Sequence, residues 1–129
     1  MLKSIKLKNF RTDKVTNMVS MFNGCVSLKS LDVSSFNTEN VTSMNSMFYE
    51  CQSLTSLDLS SFDTKNVTSL NTMFHNCRNL TSLDLLHFNT SKVTTMTSTF
   101  IHCKSLKTLK ISNWDTSKVT NFDYMFEEC

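Results

Sequence analysis

Residues 53–68 decide the fold: they read SLTSLDLSSFDTKNVT and are followed by Met73, Phe74 and Cys77. The same pattern stands 26 residues earlier, as SLKSLDVSSFNTENVT at 27–42, and 26 residues later, as NLTSLDLLHFNTSKVT at 79–94. The cysteines keep this step along the whole chain, at Cys25, Cys51, Cys77, Cys103 and Cys129. A fixed period of roughly 20–50 residues is typical of a solenoid, whose units bury their apolar faces by stacking on one another.

The repeat accounts for the whole chain without an insertion or a linker. Aromatic residues recur in phase at Phe10, Phe36, Phe62, Phe88 and Trp114, and threonines at Thr12, Thr38, Thr64, Thr90 and Thr116. We therefore predict a single repeat domain over 1–129, with units of approximately 1–25, 26–51, 52–77, 78–103 and 104–129. The inward positions of such units can form one continuous core.

Two apolar patterns follow each other within a unit. Leu28, Leu31 and Val33 belong to the pattern L-x-x-L-x-L, whose last part alternates with a period of two and predicts a short strand near residues 30–34. Short polar side chains come next and favour a turn. The following apolar residues are spaced as on one face of a short helix: Val41, Met44, Met47, Phe48 and Cys51. The predicted fold class is therefore α/β, with about five 26-residue strand-turn-short-helix coils.

Composition excludes several classes of protein. The chain has no proline, one glycine and a net charge of +2, which is too small to indicate a nucleic-acid partner. It has no apolar run of about 18 residues, so we expect no membrane span. Its opening residues have no apolar core like that of a signal peptide and are predicted to form the first strand.

The string at 53–68, with Met73, Phe74 and Cys77, resembles the 26-residue repeat of the BspA-like leucine-rich repeat proteins. The resemblance covers essentially the whole chain. It implies a right-handed solenoid with a strand-lined face and a helical face, and it brings no catalytic residue, metal ligand or cofactor. It further implies a cell-surface or secreted adhesion module that binds host or extracellular matrix proteins.

The repeat departs from ordinary leucine-rich repeats after the strand, where those place an asparagine. The aromatic residues of the Phe62 series stand there instead. Stacked aromatic side chains bury about 150–250 Å² each and are expected to be a main source of stability. The backbone groups that an asparagine ladder would satisfy must then be met by other side chains, which we predict to be Thr38, Thr64, Thr90 and their equivalents.

The regular cysteines admit a structural and a chemical interpretation. A disulfide needs Cα atoms within about 7 Å, and a metal site needs clustered ligands such as C-x-x-C, which the sequence lacks. We therefore favour small buried side chains, with disulfide, metal and Cys–His nucleophile roles as the alternatives. Cys129 alone, which no coil follows, is expected to react with thiol reagents.

One outward-facing surface is the candidate binding face. The outward strand positions stack into a column of Lys6, Asp32, Asp58, Asp84 and Lys110. Like charges in neighbouring strands repel one another unless a cation or a basic partner lies across them. One interpretation is a ligand groove centred on Asp58, with Asp32, Asp84, Thr55, Thr81, Leu86 and His87 around it. The other is a solvated face on which Lys6 and Lys110 offset the repulsion.

Three functions compete on these observations. A non-catalytic protein-binding solenoid is favoured by the resemblance, with a protein ligand as its partner. The alternative is a structural unit that stacks end to end into fibres. An enzyme would need a pocket with convergent polar groups, which the pattern does not indicate. We expect a monomer, because lysines in the first and last strands, such as Lys6 and Lys110, would repel each other in a filament.

Overall fold

The computed structural model describes residues 2–129 and shows coils stacked at an offset of one repeat. It contains four short strands: β1 (Ser4–Lys6), β2 (Ser30–Asp32), β3 (Ser82–Asp84) and β4 (Thr108–Lys110). Strands β1 and β2 pair in parallel, as do β3 and β4, which gives two separate two-stranded sheets. The middle coil contributes no strand to either sheet.

A second line of pairing joins all the coils on the far side of the core. Isolated parallel bridges link each coil to the next, at Asn17, Ser43, Ser69, Thr95 and Asn121. Successive residues of this line are 26 apart, as are Ser4 and Ser30 in the first sheet. The sequence period is therefore the vertical repeat of the structure.

The predicted α/β solenoid with short helices is wrong, because residues 2–129 contain no helix. The apolar stripe from Val41 to Cys51 is fully buried, as the pattern indicated, but its backbone forms consecutive turns. The spacing of these apolar residues therefore predicted correctly which side chains point inward. It predicted the secondary structure wrongly. The strand predicted near 30–34 of each unit is present as β2 and at the equivalent positions of β1, β3 and β4, but the middle coil lacks it.

Hydrogen bonding between coils explains why no helix forms there. The amides of Met47 and Tyr49 donate within the coil, three residues back, at 3.2 and 3.1 Å. The alternate amides, of Ser46, Phe48 and Glu50, donate instead to carbonyls of the next coil at 3.0, 2.9 and 2.9 Å. A helix would direct every amide four residues back and leave the next coil without donors.

Two residues of each such segment have left-handed backbone conformations, which a helix cannot contain. In the second coil these are Ser46 and Glu50, with φ of 55° and 61°, and the first coil has Gly24 at the position of Glu50, with φ of 73°. Short polar side chains precede the first of these positions, at Ser43 and Asn45, and such side chains bond to local backbone and favour turns over helices. That composition was the signal against a helix.

Two columns of aromatic rings fill the core. One contains the predicted series, in which Phe36 stacks on Phe62 with ring centroids 6.3 Å apart. The other column consists of the phenylalanines of the apolar stripe, which the sequence had not predicted to stack, and it is the more regular of the two. Its neighbouring rings are 5.5 to 5.7 Å apart and nearly parallel, in the order Phe22, Phe48, Phe74, Phe100 and Phe126.

The cysteines form a ladder of thiol hydrogen bonds. Cys77 Sγ donates to the carbonyl of Phe48 in the preceding coil at 3.2 Å, and Cys51 and Cys103 do the same in their coils. All five cysteines are free thiols. Burial raises the pKa of Cys51 and of Cys103 to about 12, so both are protonated donors at neutral pH. The period of the cysteines thus follows from a repeated backbone bond.

Candidate binding groove

The sheet is interrupted where aspartate would face aspartate. In the outer coils Lys6 lies opposite Asp32, and Asp84 lies opposite Lys110. Residues 56–58 are the equivalent segment of the middle coil, and within residues 2–129 they make no backbone hydrogen bond to a neighbouring coil. There Asp58 would stand between Asp32 and Asp84. Because like charges directly opposite each other destabilise strand pairing, the break falls where the sequence predicted repulsion.

An open groove of about 720 Å³ lies at this break. Four of the predicted residues line it: Asp58, Asp84, Leu86 and His87. Ser56, Leu57, Leu59, Ser60 and Ser82 complete the lining, and the sequence had not singled them out. Asp32, Thr55 and Thr81 do not line it. A depression therefore lies where the groove centred on Asp58 was predicted, and ligand binding there stays a prediction.

The aspartates of this column have a structural role as well as a charge. The Oδ1 atoms of Asp32, Asp58 and Asp84 accept the backbone N–H two residues further on, at 3.0, 2.9 and 3.2 Å. Each of these bonds closes an Asx turn directly after the strand, or after the equivalent segment of the middle coil. Each carboxylate therefore uses Oδ1 to hold the turn; the Oδ2 atom of Asp84 bonds to Lys110, whereas that of Asp58 forms no ion pair within residues 2–129.

Hydrogen bonding keeps these carboxylates ionised. The Ser60 backbone N–H is the largest cause of the lowered pKa of Asp58, and the charge of Asp32 opposes the shift. A bond from Lys110 is the main cause of the lowered pKa of Asp84. Lys110 Nζ lies 2.8 Å from Asp84 Oδ2 and neutralises that end of the groove. Among the described residues Asp58 has no ion-pair partner, so its charge dominates the groove.

Leu86 and His87 are departures from the repeat. The equivalent positions of the two preceding coils carry Ser34, Ser35, Ser60 and Ser61. His87 Nε2 lies 2.9 Å from the carbonyl of Leu59, as the hydroxyl of Ser61 bonds the carbonyl of Val33. The substitutions therefore keep the bond between coils and add an imidazole and a half-buried apolar side chain to the groove.

The two threonines predicted beside the groove have a different role. The amide and hydroxyl of Thr81 both donate to the carbonyl of Thr55, at 3.2 and 3.3 Å. This pair joins the third and fourth coils just before the break in the sheet. Thr55 and Thr81 thus join the two coils beside the groove and do not form part of its lining.

The groove presents chemical groups of only a few kinds. Across residues 2–129 no three His, Cys, Asp or Glu side chains are grouped so that they could hold a metal ion. No helix in the same range could cross a bilayer. What the groove offers is one unpaired carboxylate, several hydroxyls and a small apolar surface from Leu86.

Comparison with known proteins places the chain in a family. No curated protein and no solved structure matches it. Residues 2–85 and 79–129 both match a repeat family described as "Mycoplasma protein of unknown function, DUF285". The two overlapping matches together cover nearly the whole sequence and support a repeat protein. The chain therefore belongs to the DUF285 family.

Proposed function

We propose that this chain is a non-catalytic protein-binding repeat module, and that it recognises an extended basic segment of a partner protein in the groove around Asp58. The observation that carries the proposal is the combination of two features: the Asp58 carboxylate has no ion-pair partner within residues 2–129, and residues 56–58, at the strand position of the middle coil, make no backbone hydrogen bond to either neighbouring coil.

The groove suits a cationic side chain on an extended main chain. Asp58 can pair with a lysine or arginine of the partner, since its own turn occupies only Oδ1. The half-buried side chain of Leu86 can pack on the aliphatic stem of that residue. The free amide and carbonyl groups of 56–58 can bond to the partner's main chain, as in other modes of peptide recognition by strand segments.

The proposed setting is the bacterial cell surface or the secreted fraction. It rests on the resemblance of SLTSLDLSSFDTKNVT, residues 53–68, to the repeat of BspA-like surface proteins. On this proposal the partner is a host or extracellular matrix protein, and the module acts in adhesion. Localisation of the full-length protein by surface labelling of intact cells would test this part separately.

The groove itself can be tested with a defined probe. We propose titrating the protein with a fluorescein-labelled peptide of alternating lysine and threonine at low ionic strength, and with a matching glutamate and threonine peptide. The lysine peptide should bind and the glutamate peptide should not. Asp58→Asn keeps the oxygen that accepts the Ser60 amide and removes the charge, so it should weaken binding by roughly threefold without changing the melting temperature.

Two further variants act as controls. Asp115→Asn removes an exposed carboxylate with the same kind of turn, since Asp115 Oδ1 accepts the Ser117 amide at 2.9 Å outside the groove, and it should bind as the wild type does. Leu86→Ser introduces the residue of the second, third and fifth coils and should weaken binding while the fold is kept. Equal losses in Asp58→Asn and Asp115→Asn would show that binding follows net charge and would contradict the groove.

A further inference from the structure

The groove around Asp58 contains a histidine as well as carboxylates. The ionisable side chains of its lining are Asp58, Asp84 and His87. Histidine is the side chain that ordinarily gains and loses a proton between about pH 5 and about pH 8, whereas carboxylates stay ionised over most of that range. His87 is therefore the group through which protons can act on the groove.

The fold fixes which ring nitrogen of His87 carries the hydrogen. Nε2 lies 2.9 Å from the carbonyl oxygen of Leu59. Because a carbonyl oxygen only accepts hydrogen bonds, Nε2 is the donor, and Nδ1 of the neutral ring is left as an acceptor. The ring also packs edge-on against Phe88, with ring centroids 5.1 Å apart and planes at 89°. The neutral side chain thus adds an oriented acceptor, Nδ1, to the groove, and Nδ1 makes no hydrogen bond within residues 2–129.

The hydrogen bond between coils at this position does not require a histidine. The two preceding coils have serine there, and the hydroxyls of Ser35 and Ser61 bond the carbonyls of Leu7 and Val33 at 2.7 and 3.3 Å. A hydroxyl therefore suffices to join neighbouring coils at this point. What the imidazole of His87 adds is the second nitrogen, Nδ1, and the ability to take up a proton.

His87 lies close enough to both carboxylates of the groove for its charge to act on them. Bonds from Ser60 and from Lys110 are the largest causes of the lowered pKa of Asp58 and of Asp84, and the charge of His87 adds to both shifts. Asp58 faces His87 from the third coil and Asp84 from its own coil, and Lys110 of the fifth coil is paired with Asp84 at 2.8 Å. A protonated His87 therefore offsets part of the negative charge that a basic partner needs.

We propose that His87 is a second recognition group for the basic segment bound at Asp58, and that it makes this binding depend on pH. In the neutral ring, Nδ1 accepts a hydrogen bond from the ammonium or guanidinium group of the partner. Uptake of a proton from solvent turns Nδ1 into a donor and gives the ring a positive charge, so the same group is repelled. This role of His87 rests on the proposed function of the groove, since it concerns the same partner.

The two states of the ring have opposite effects on the partner, and one variant separates them. His87→Ser introduces the residue of the two preceding coils, keeps a hydroxyl for the carbonyl of Leu59, and removes both states of the ring. At about pH 8 it should bind the partner roughly threefold more weakly than the wild type, because one hydrogen bond is lost. At about pH 5.5 it should bind roughly threefold more tightly than the wild type, because a like charge is removed. A side chain with only a structural role would not reverse its effect in this way.

The probe is the alternating lysine and threonine peptide, unlabelled and blocked at both ends so that its charge stays constant between about pH 8 and about pH 5.5. Binding is measured by calorimetry at constant low ionic strength. The affinity of the wild type should fall roughly tenfold over this range, whereas that of His87→Ser should stay nearly constant. The lowered pKa of Asp58 and of Asp84 keeps both carboxylates ionised throughout. His75→Tyr removes a histidine outside the groove lining; it is the control and should keep the wild-type fall.

Nitrogen chemical shifts of the labelled wild-type protein give a second measurement, which needs no variant. At about pH 8 the ring of His87 should carry its hydrogen on Nε2, and addition of the peptide should shift the signal of Nδ1. A hydrogen on Nδ1, a wild-type affinity that does not change with pH, or the same fall in His87→Ser would overturn the role of His87 and leave the groove as the binding site. A wild-type protein that binds the peptide at neither pH would overturn the proposed function and this role with it.

Discussion

The hydroxyl of Thr64 both accepts the amide of Asn89 at 2.7 Å and donates to its carbonyl at 3.1 Å. One side chain thus satisfies both backbone groups of a residue in the next coil. Thr12, Thr38 and Thr90 bond to the next coil in the same way, through the carbonyls of Asn37, Asp63 and Asp115. The sequence predicted that these threonines would satisfy backbone groups, and their hydrogen bonds confirm it.

Removing the Thr64 hydroxyl should therefore cost more than removing its methyl group. Thr64 is 2% exposed, so Thr64→Val would leave the part-buried amide and carbonyl of Asn89 facing a methyl group instead of a hydroxyl. We expect a loss of about 2–4 kcal/mol in the free energy of unfolding. Thr64→Ser keeps the hydroxyl and should cost only about 1 kcal/mol for the lost methyl group. Denaturant melts that rank the two variants in the opposite order would contradict the ladder.

The side chains of the repeat were easier to predict than its backbone. Inward positions such as Met47 and Phe48 were identified from their spacing, because burial follows periodicity in any fold that repeats. The same spacing fits a helical turn and a turn-rich coil. What separates them is where the amide of Phe48 finds its acceptor, and that acceptor is in the next coil. The local sequence pattern gives no information about an acceptor that lies in another coil.

The aromatic columns should show the effect of neighbouring coils. Phe62 is buried and stacks on Phe36, whereas Phe10 in the first coil is 46% exposed. We expect Phe62→Ala to cost about 3–5 kcal/mol, as for other buried aromatic residues, and Phe10→Ala to cost clearly less. Chemical denaturation of both variants measures this difference. Equal losses at the two positions would be inconsistent with a stack whose ends have fewer neighbours.

Thiol reactivity should depend on position along the stack. Cys51, Cys77 and Cys103 are fully buried, and burial raises the pKa of each. These three should resist a thiol reagent until the protein is denatured. Cys129 is exposed and Cys25 is half-buried, so both should react in the native state, Cys129 faster. The sequence alone predicted reaction at Cys129 only. Mass spectrometry of partially labelled protein gives the order, and early labelling of Cys77 would contradict it.

The position of the depression coincides with a feature of charge that is visible in the sequence. Asp32, Asp58 and Asp84 occupy the same position in three successive repeats of the sequence. Repulsion between them predicts weaker strand pairing at the middle coil. The ion pair between Asp84 and Lys110 makes the site asymmetric. It depends on the conformation of the lysine side chain, which the sequence does not give. Ser56 and Ser82 could not be singled out, because similar serines occur in most coils.

A pH dependence should arise on the opposite side of the coils, around His75. Its ring lies 4.4 Å from that of Tyr49 and 5.6 Å from that of His102, and its Nδ1 is buried without a hydrogen-bond partner in the described chain. Burial is the main cause of its lowered pKa; the charge of His102 adds to the shift, and that of Glu50 opposes it. His102 is in turn 3.0 Å from Glu128.

Because the folded pKa of His75 lies below its ordinary value of 6.5, folding favours the neutral ring. This contribution to stability is complete above that value and is lost as pH falls through the folded pKa. We expect the melting temperature of the wild type to fall between about pH 7.5 and about pH 5.5, a range in which ordinary carboxylates stay ionised. His75→Tyr introduces the residue that the second coil has there, Tyr49, and should show a smaller fall. The same fall in both proteins would assign the pH dependence to other groups.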